Sequence, residues 1–337
     1  MIKLYDENNN YIISLSNYSN LKITSTITKG YNTLEFNLPL VENLIKKEYK
    51  VEYNHYRYVI KEININNKFY FSIYCKPDLD ELYAGYIKNT HTEIAPIEYF
   101  LDLVLNETKW TYKIHDFIPG ELTITLANIT KFDALLLVLE LFNVEFYFDT
   151  FNKVLDVWYQ RGERKGSFIL DSTNIYDYRY QSNTYDLATV LIPLGKDGIN
   201  IADFNEGKIY LENHQYSNKN IVNFYINDKI SEPYNLYMLA KNKLDQISQP
   251  ATTYIIKLSC LAKYNLAVGD YIRIIDKFTN TDEYYRINKI TLYEDDLTKS
   301  YITCGSSQVS FDNLYNSNWN NQNNFMLNTY NTLNKES

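Results

Sequence analysis

Basic clusters are missing from this sequence. Its 33 Lys and Arg are outnumbered by 41 Asp and Glu, the formal net charge is −8, and no run of basic residues occurs. Gripping nucleic acid across a broad surface needs clustered Lys and Arg to displace counterions, so that class is disfavoured. Cysteine is scarce. Cys75, Cys260 and Cys304 are the only three, far apart and odd in number. Each lies in or at the end of a strand-like run, which reads as a buried free thiol rather than a disulfide or a metal site. Histidine is limited to His55, His91, His115 and His214, none with a second ligand at metal-binding helix spacing. They read as surface or loop residues. No Gly-x-Ser-x-Gly elbow is present, and no cysteine sits in a nucleophile signature. The acid pairs Asp78/Asp80 and Asp295/Asp296 fall in turn-like stretches and read as solvated.

Long apolar runs are absent too. The longest, residues 132–142, is too short to span a bilayer and contains Asp133 and Glu140. The N-terminus, MIKLYDENNNYI, has no apolar core of signal-peptide length. The expectation is a protein made and folded in a cytoplasm, without stable membrane insertion, cofactor, metal or catalytic residues.

What is present argues for a folded, strand-rich chain. Hydrophobic residues make up 45% and charged residues 22% of the 337, which allows about two to three domains. Its 34 tyrosines stand beside abundant Asn, Ile and Lys, all with A/T-rich codons, so genome composition explains the bias. Tyr and Ile still favour strands. Residues 1 to about 80 alternate apolar and polar side chains, with hairpin tips at Asn54-His55 and Asn66-Asn67. Ile97, Phe100, Leu101, Val104 and Leu105 then fall on one helical face behind Pro96. Thr130 and Asp133 form a capping-box-like start to a helix over 131–142 that is apolar nearly all round and should be buried between layers. A hairpin follows around residues 149–153. Pro233 opens a third helix carrying Leu236, Leu239, Ala240, Leu244 and Ile247, which Pro250 ends. Beyond it strands return, and Tyr285-x-Ile287-x-x-Ile290 echoes Tyr58-x-Ile60-x-x-Ile63.

The predicted class is α+β and β-rich, with two small barrel-like domains flanking an α/β insert. The expected boundaries are 1–85 for the first barrel, 86–175 for the insert, 176–250 for a β-ribbon plus helix, 251–310 for the second barrel and 311–337 for an Asn-rich tail. The tail's Leu314, Trp319, Phe325, Met326 and Leu327 offer anchors for a partner.

Residues 187–213 decide between a ligand loop and a structural joint. A strand-like run at 190–194 breaks at Gly195-Lys196-Asp197-Gly198, and a second break at Asn205-Glu206-Gly207 precedes Ile209-Tyr210-Leu211. Two short strands with glycine punctuation read as a tight ribbon. A phosphate loop would need a following helix and a Gly-Lys-Ser/Thr sequence, and both are lacking.

The series Asp186, Thr189-Val190-Leu191, Pro193-Leu194-Gly195, Gly198, Asn205, Gly207, Tyr210 and Asn213 resembles the tail-tip "prophage tail" family of phages infecting Gram-positive bacteria, also called tail-associated proteins. The resemblance spans roughly residues 1–305 and is strongest over 144–214. Where the family carries Thr-Arg-Leu this chain has Thr189-Val190-Leu191, which removes a potential ion pair. Many relatives continue into a peptidase, lysin or fibre domain; this chain stops after the hub-like portion. The resemblance implies a fold similar to the baseplate hub of T-even phages and a homotrimer that closes the tail tube, matching sixfold tail symmetry to threefold tip symmetry. Implied partners are the distal tail ring or tail tube proteins, the tape measure protein and downstream receptor-binding tip proteins. The implied place is the virion tail tip, in host attachment and DNA ejection, with DNA passing through without specific binding. The alternatives are a tail-associated peptidoglycan hydrolase and a cell-surface carbohydrate- or receptor-binding module.

Overall fold

The computed structural model describes residues 1–40, 45–66, 69–89, 91–170, 175–228, 230–258 and 265–305. Asn67, Asn174, Cys260 and the Asn-rich tail lie outside the described residues.

Alternation sets the first seven strands: β1 (Ile2–Tyr5), β2 (Tyr11–Leu15), β3 (Ser19–Thr26), β4 (Tyr31–Pro39), β5 (Lys50–Tyr53), β6 (Tyr56–Asn66) and β7 (Tyr70–Pro77). Their inward residues, among them Leu4, Leu34, Phe36, Val51, Tyr58, Ile60 and Cys75, form one core. The β5–β6 tip is the expected Asn54-His55, with φ of 49° and 56°. Two consecutive positive φ values match the twist of an antiparallel pair, and Asn tolerates them well.

Next come α1 (Asp80–Ala84), β8 (Tyr86–Ile87), β9 (His91–Ala95), α2 (Ile97–Leu105), β10 (Thr111–Ile114), β11 (Leu122–Leu126), β12 (Ile129–Thr130), α3 (Lys131–Leu141), β13 (Glu145–Asp149) and β14 (Val154–Trp158). Thr130 starts α3 as expected. Its Oγ1 accepts from the Asp133 N–H at 3.1 Å and donates to Asp133 Oδ2 at 2.7 Å. Leu135, Val138 and Leu139 are fully buried in the largest core, with Phe100, Leu101, Val104, Phe146 and Phe148. Each such side chain contributes about 1.5–3 kcal/mol by burial, so α3 is held by packing far more than by propensity.

The remaining elements are β15 (Arg164–Ile169), β16 (Ile175–Asn183), β17 (Val190–Gly195), β18 (Leu211–Glu212), β19 (Val222–Asn227), α4 (Pro233–Ile247), β20 (Ala251–Leu258), β21 (Tyr271–Asp276), β22 (Thr281–Tyr293) and β23 (Tyr301–Gly305). The fold is β-rich α+β. Strands from both ends of the chain join in one 13-stranded sheet, whose path runs β16-β20-β23-β22-β3-β4-β7-β6-β5-β1-β2, with β15 and β21 branching from β22. The link between the two ends is antiparallel, from Lys289↔Thr26 to Tyr293↔Lys22.

The sequence echo corresponds to repeated pairing. In β6 the register to β7 slips between Ile60 and Glu62, and in β22 the register to β23 slips between Ile287 and Lys289. Ile60 faces Cys75 and Ile287 faces Cys304. The Glu48 N–H donates to Ile60 O at 2.8 Å and the Ile60 N–H to Tyr49 O at 2.9 Å; the Gly269 N–H donates to Ile287 O and the Ile287 N–H to Asp270 O, both at 2.8 Å. A bulge twists its strand and re-aims the residues beyond it. Both modules bend at the same place.

Candidate functional site

The signature residues gather around a three-stranded sheet, β18-β17-β19, that packs on α4. Leu191 and Ala188 meet Ala240, Leu244 and Ile247 in its core. The expected ribbon is corrected here. The full-length partner of β17 is β19, parallel, from Val190↔Val222 to Gly195↔Asn227, while β18 contributes only two residue pairs. A parallel neighbour arrives by a long connection and leaves no local turn signal. Ile199 and Ile201 lie outside any strand; Ile201 is buried against Ile230, Leu236 and Leu239.

Three of the signature side chains, Thr189, Asn205 and Asn213, tie down the backbone or α4. Thr189 is fully buried; its Oγ1 donates to Lys219 O at 2.6 Å and accepts from the Ile221 N–H at 2.9 Å. Asn205 Nδ2 donates to Tyr210 O at 2.7 Å and to Lys208 O at 3.3 Å, which closes the turn through Gly207, φ +80°. That carbonyl capture also accounts for the shortness of β18. The Asn213 N–H donates to Thr189 O at 2.9 Å, and its Nδ2 donates to Asp245 Oδ1 on α4 at 2.8 Å. Pro193 is buried and Leu194 half-buried in β17, Asp186 is exposed ahead of it, and Tyr210 receives Lys208 over its ring.

The Gly195–Gly198 segment is a 3-10 turn over Lys196–Gly198, with Gly198 at φ +80°. The Gly195, Lys196 and Ile199 N–H groups already donate to Ile199 O, Ile230 O and Lys196 O. Donors consumed within the fold cannot cradle a phosphate. A Cβ at Gly195 would sit 2.7 Å from Ile230 O, so close backbone approach demands glycine there.

Two constellations were invisible in the sequence. His115 and Asp156 meet across the parallel β10–β14 pair, Nε2 to Oδ1 at 2.7 Å, with the His115 ring stacked on Trp158 at 4.4 Å. Among the described residues no hydroxyl or thiol hydrogen-bonds that imidazole. The other is a joint between the insert and the C-terminal strands. Arg286 Nη1 and Nη2 donate to Glu145 Oε1 and Oε2 at 2.5 and 2.6 Å, while Nη2 and Nε also reach Arg161 O (2.8 Å) and Gly269 O (3.0 Å). Glu145 Oε2 accepts in addition from the Arg161 N–H at 2.9 Å. Burial pushes the Arg161 guanidinium down from its ordinary value, opposed by the neighbouring Glu145 carboxylate. The Arg161 guanidinium lies over the Tyr147 and Trp158 rings. Gly162 and Gly269 touch at the same place; a Cβ on Gly162 would lie 2.1 Å from Gly269 O. Only nonlocal packing could reveal either set.

Cys75 and Cys304 are free and buried, as expected, and burial pushes both thiols well above their ordinary range. Among the described residues no group of three or more His, Cys, Asp or Glu side chains could hold a metal ion, and no helix is long and apolar enough to cross a membrane.

Residues 163–314, which take in β15 to β23, match the model of a family described as prophage endopeptidase tail. Over this region, a little under half of its length, the chain is similar to the phage tail-associated family. The matched region begins later and runs further than the stretch where the resemblance read strongest. The chain's fold is similar to that of prophage tail protein gp18 from Listeria monocytogenes EGD-e, at TM-score 0.69 and 16% identity, over 93% of this chain and 97% of that one. It is also similar to the 43 kDa tail protein of prophage MuSo2 from Shewanella oneidensis, at TM-score 0.64 and 11% identity, over 90% and 97%. A type VI secretion component of E. coli, described as structurally similar to the T4 tail proteins gp27 and gp5, aligns at TM-score 0.51 and 9% identity, over 90% and 76%. At such identities the likeness is one of fold. No curated protein sequence matches this chain.

Proposed function

We propose that this chain is the hub of the tail tip, a homotrimer that closes the tail tube and adapts sixfold tail symmetry to the threefold symmetry of the tip. The observation that carries the proposal is the pair of matching strand modules joined edge to edge in one chain, with equivalent bulges at Ile60/Glu62 and Ile287/Lys289. Two similar modules per chain in three chains supply six similar faces. A cyclic assembly of heterologous contacts closes without leaving an open edge. In this reading the signature residues, from Asp186 to Asn213, have a structural role, holding the β18-β17-β19 sheet together and against α4. The distal tail ring or tail tube would sit on one side, with the tape measure protein and receptor-binding tip proteins as further partners. DNA would pass through a ring whose net charge of −8 per chain repels phosphate.

Light scattering of the purified chain, alone and with a tail-ring protein, tests the assembly. A trimer is expected in at least one of the two; a monomer in both would refute the hub. The family description names an endopeptidase, so zymography against Gram-positive cell walls belongs beside it. A lysis band would overturn the structural reading.

A further inference from the structure

The paired modules also specify which strand edges meet between copies. Matching by hydrogen-bond register places β6 on β22, β7 on β23, β4 on β20 and β3 on β16. Leu34 faces Cys75 on one side and Ile23 on the other, while Tyr254 faces Cys304 and Tyr180. Within the chain, β22 beyond its bulge pairs with β3. The two strands equivalent to that pair are β6 beyond its bulge and β16. Among the described residues, Glu62–Asn66 pair only with β7, and β16 pairs only with β20. Each module thus repeats half of a junction that the chain forms once, and within the protomer β6 and β16 are not paired with each other.

The side chains agree. At the junction inside the chain, Ile23 is 8% exposed and Thr291 1%. At the equivalent positions Tyr180 is 42% exposed and Asn64 is exposed, and Ile65, the counterpart of Leu292, is 66% exposed. A long, uncovered edge carrying large apolar residues is a template for another strand.

We infer that β6 of one protomer pairs antiparallel with β16 of a second copy, in the register of the internal β22–β3 junction. Glu62 then faces Asn183 of the partner subunit, Ile63 faces Ser182, Asn64 faces Gln181, Ile65 faces Tyr180 and Asn66 faces Arg179. The contact is heterologous, since each copy gives β6 on one side and β16 on the other, so repetition generates a ring or an open filament. Closure at three chains rests on the hub reading; the register does not.

Directly opposed residues in an antiparallel pair lie close enough for a disulfide. In a Cys260→Ser background, the double variant Ile65→Cys/Tyr180→Cys is expected to give a covalent trimer on non-reducing gels after mild oxidation. Asn64→Cys/Tyr180→Cys, whose first thiol points to the opposite face, is expected to give none. Ile65→Lys should shift the assembled mass to that of one chain with unchanged circular dichroism, because the residue is exposed in the protomer. A trimer without the Ile65–Tyr180 crosslink, or one that survives Ile65→Lys, overturns the junction and leaves the hub standing. A crosslinked ladder beyond three chains supports the junction and overturns the closure. A chain that is monomeric with or without tail-ring protein, and gives no crosslink, overturns both.

Discussion

Replacing Arg286 by Met tests whether the joint between insert and C-terminal strands is held by charge. The substitution removes two charge-assisted bonds to Glu145, at 2.5 and 2.6 Å, and strips Arg161 O and Gly269 O of a donor. Each charge-assisted bond contributes about 1.5–3 kcal/mol, and stranding one partner of a fully buried pair costs about 3–5 kcal/mol. Here the two side chains keep 19% and 21% of their surface, and Glu145 keeps the Arg161 N–H, so water and one remaining donor offset part of the loss. The expected destabilisation is about 2–4 kcal/mol, a fall of about 1 M or more in the urea midpoint. Tryptophan fluorescence is the natural readout, since Trp158 lies against the Arg161 guanidinium. Glu145→Met should cost a similar amount, and the double variant clearly less than the sum, with a coupling of about 1–3 kcal/mol. Additivity within about 0.5 kcal/mol would mean that the pair is incidental and packing alone holds the joint.

Gly162→Ala should cost at least about 2 kcal/mol, since it adds a Cβ 2.1 Å from Gly269 O at a φ of +101°; equilibrium unfolding indistinguishable from wild type would refute the close approach. Thr189→Val keeps shape but leaves Lys219 O and the Ile221 N–H without their partner, for a loss of about 1–3 kcal/mol and faster amide exchange at Ile221. Cys75 and Cys304 should resist thiol reagents in the native protein at pH 8 and react on unfolding; rapid native labelling at either would show that its core opens. Hydrogen bonds from the Asn10 side chain, the Asn10 N–H and the Asn8 N–H hold the Asp6 carboxyl below its ordinary value of 3.8. Its contribution to the β1–β2 hairpin is therefore present above that value and lost as pH falls through the lower folded one; a chemical-shift titration of Asp6 midway above 3.8 would contradict this.

Local signals in the sequence determined the three longer helices, the Asn54-His55 tip and many of the strands. The Thr130–Asp133 cap, the Ile97-to-Leu105 face and the Asn54-His55 turn each act within a few residues, where periodicity and φ preference decide the outcome. The buried thiols were legible because they sit in apolar strands. Strand β16 was not, because Tyr180 and most of its neighbours face outward and burial imposes no alternation on them; β19 does alternate Val222, Phe224 and Ile226, but that apolar face points outward. Pairing between distant segments was likewise hidden. Glu145 meets Arg286 across 141 residues, β17 takes a parallel partner that no turn announces, and β22 joins β3 from opposite ends of the chain. Sequence could show that the two ends echo each other. Their union into one sheet, and the unpaired edges of β6 and β16 that this union leaves behind, depend on hydrogen-bond register, which exists only once the strands have met.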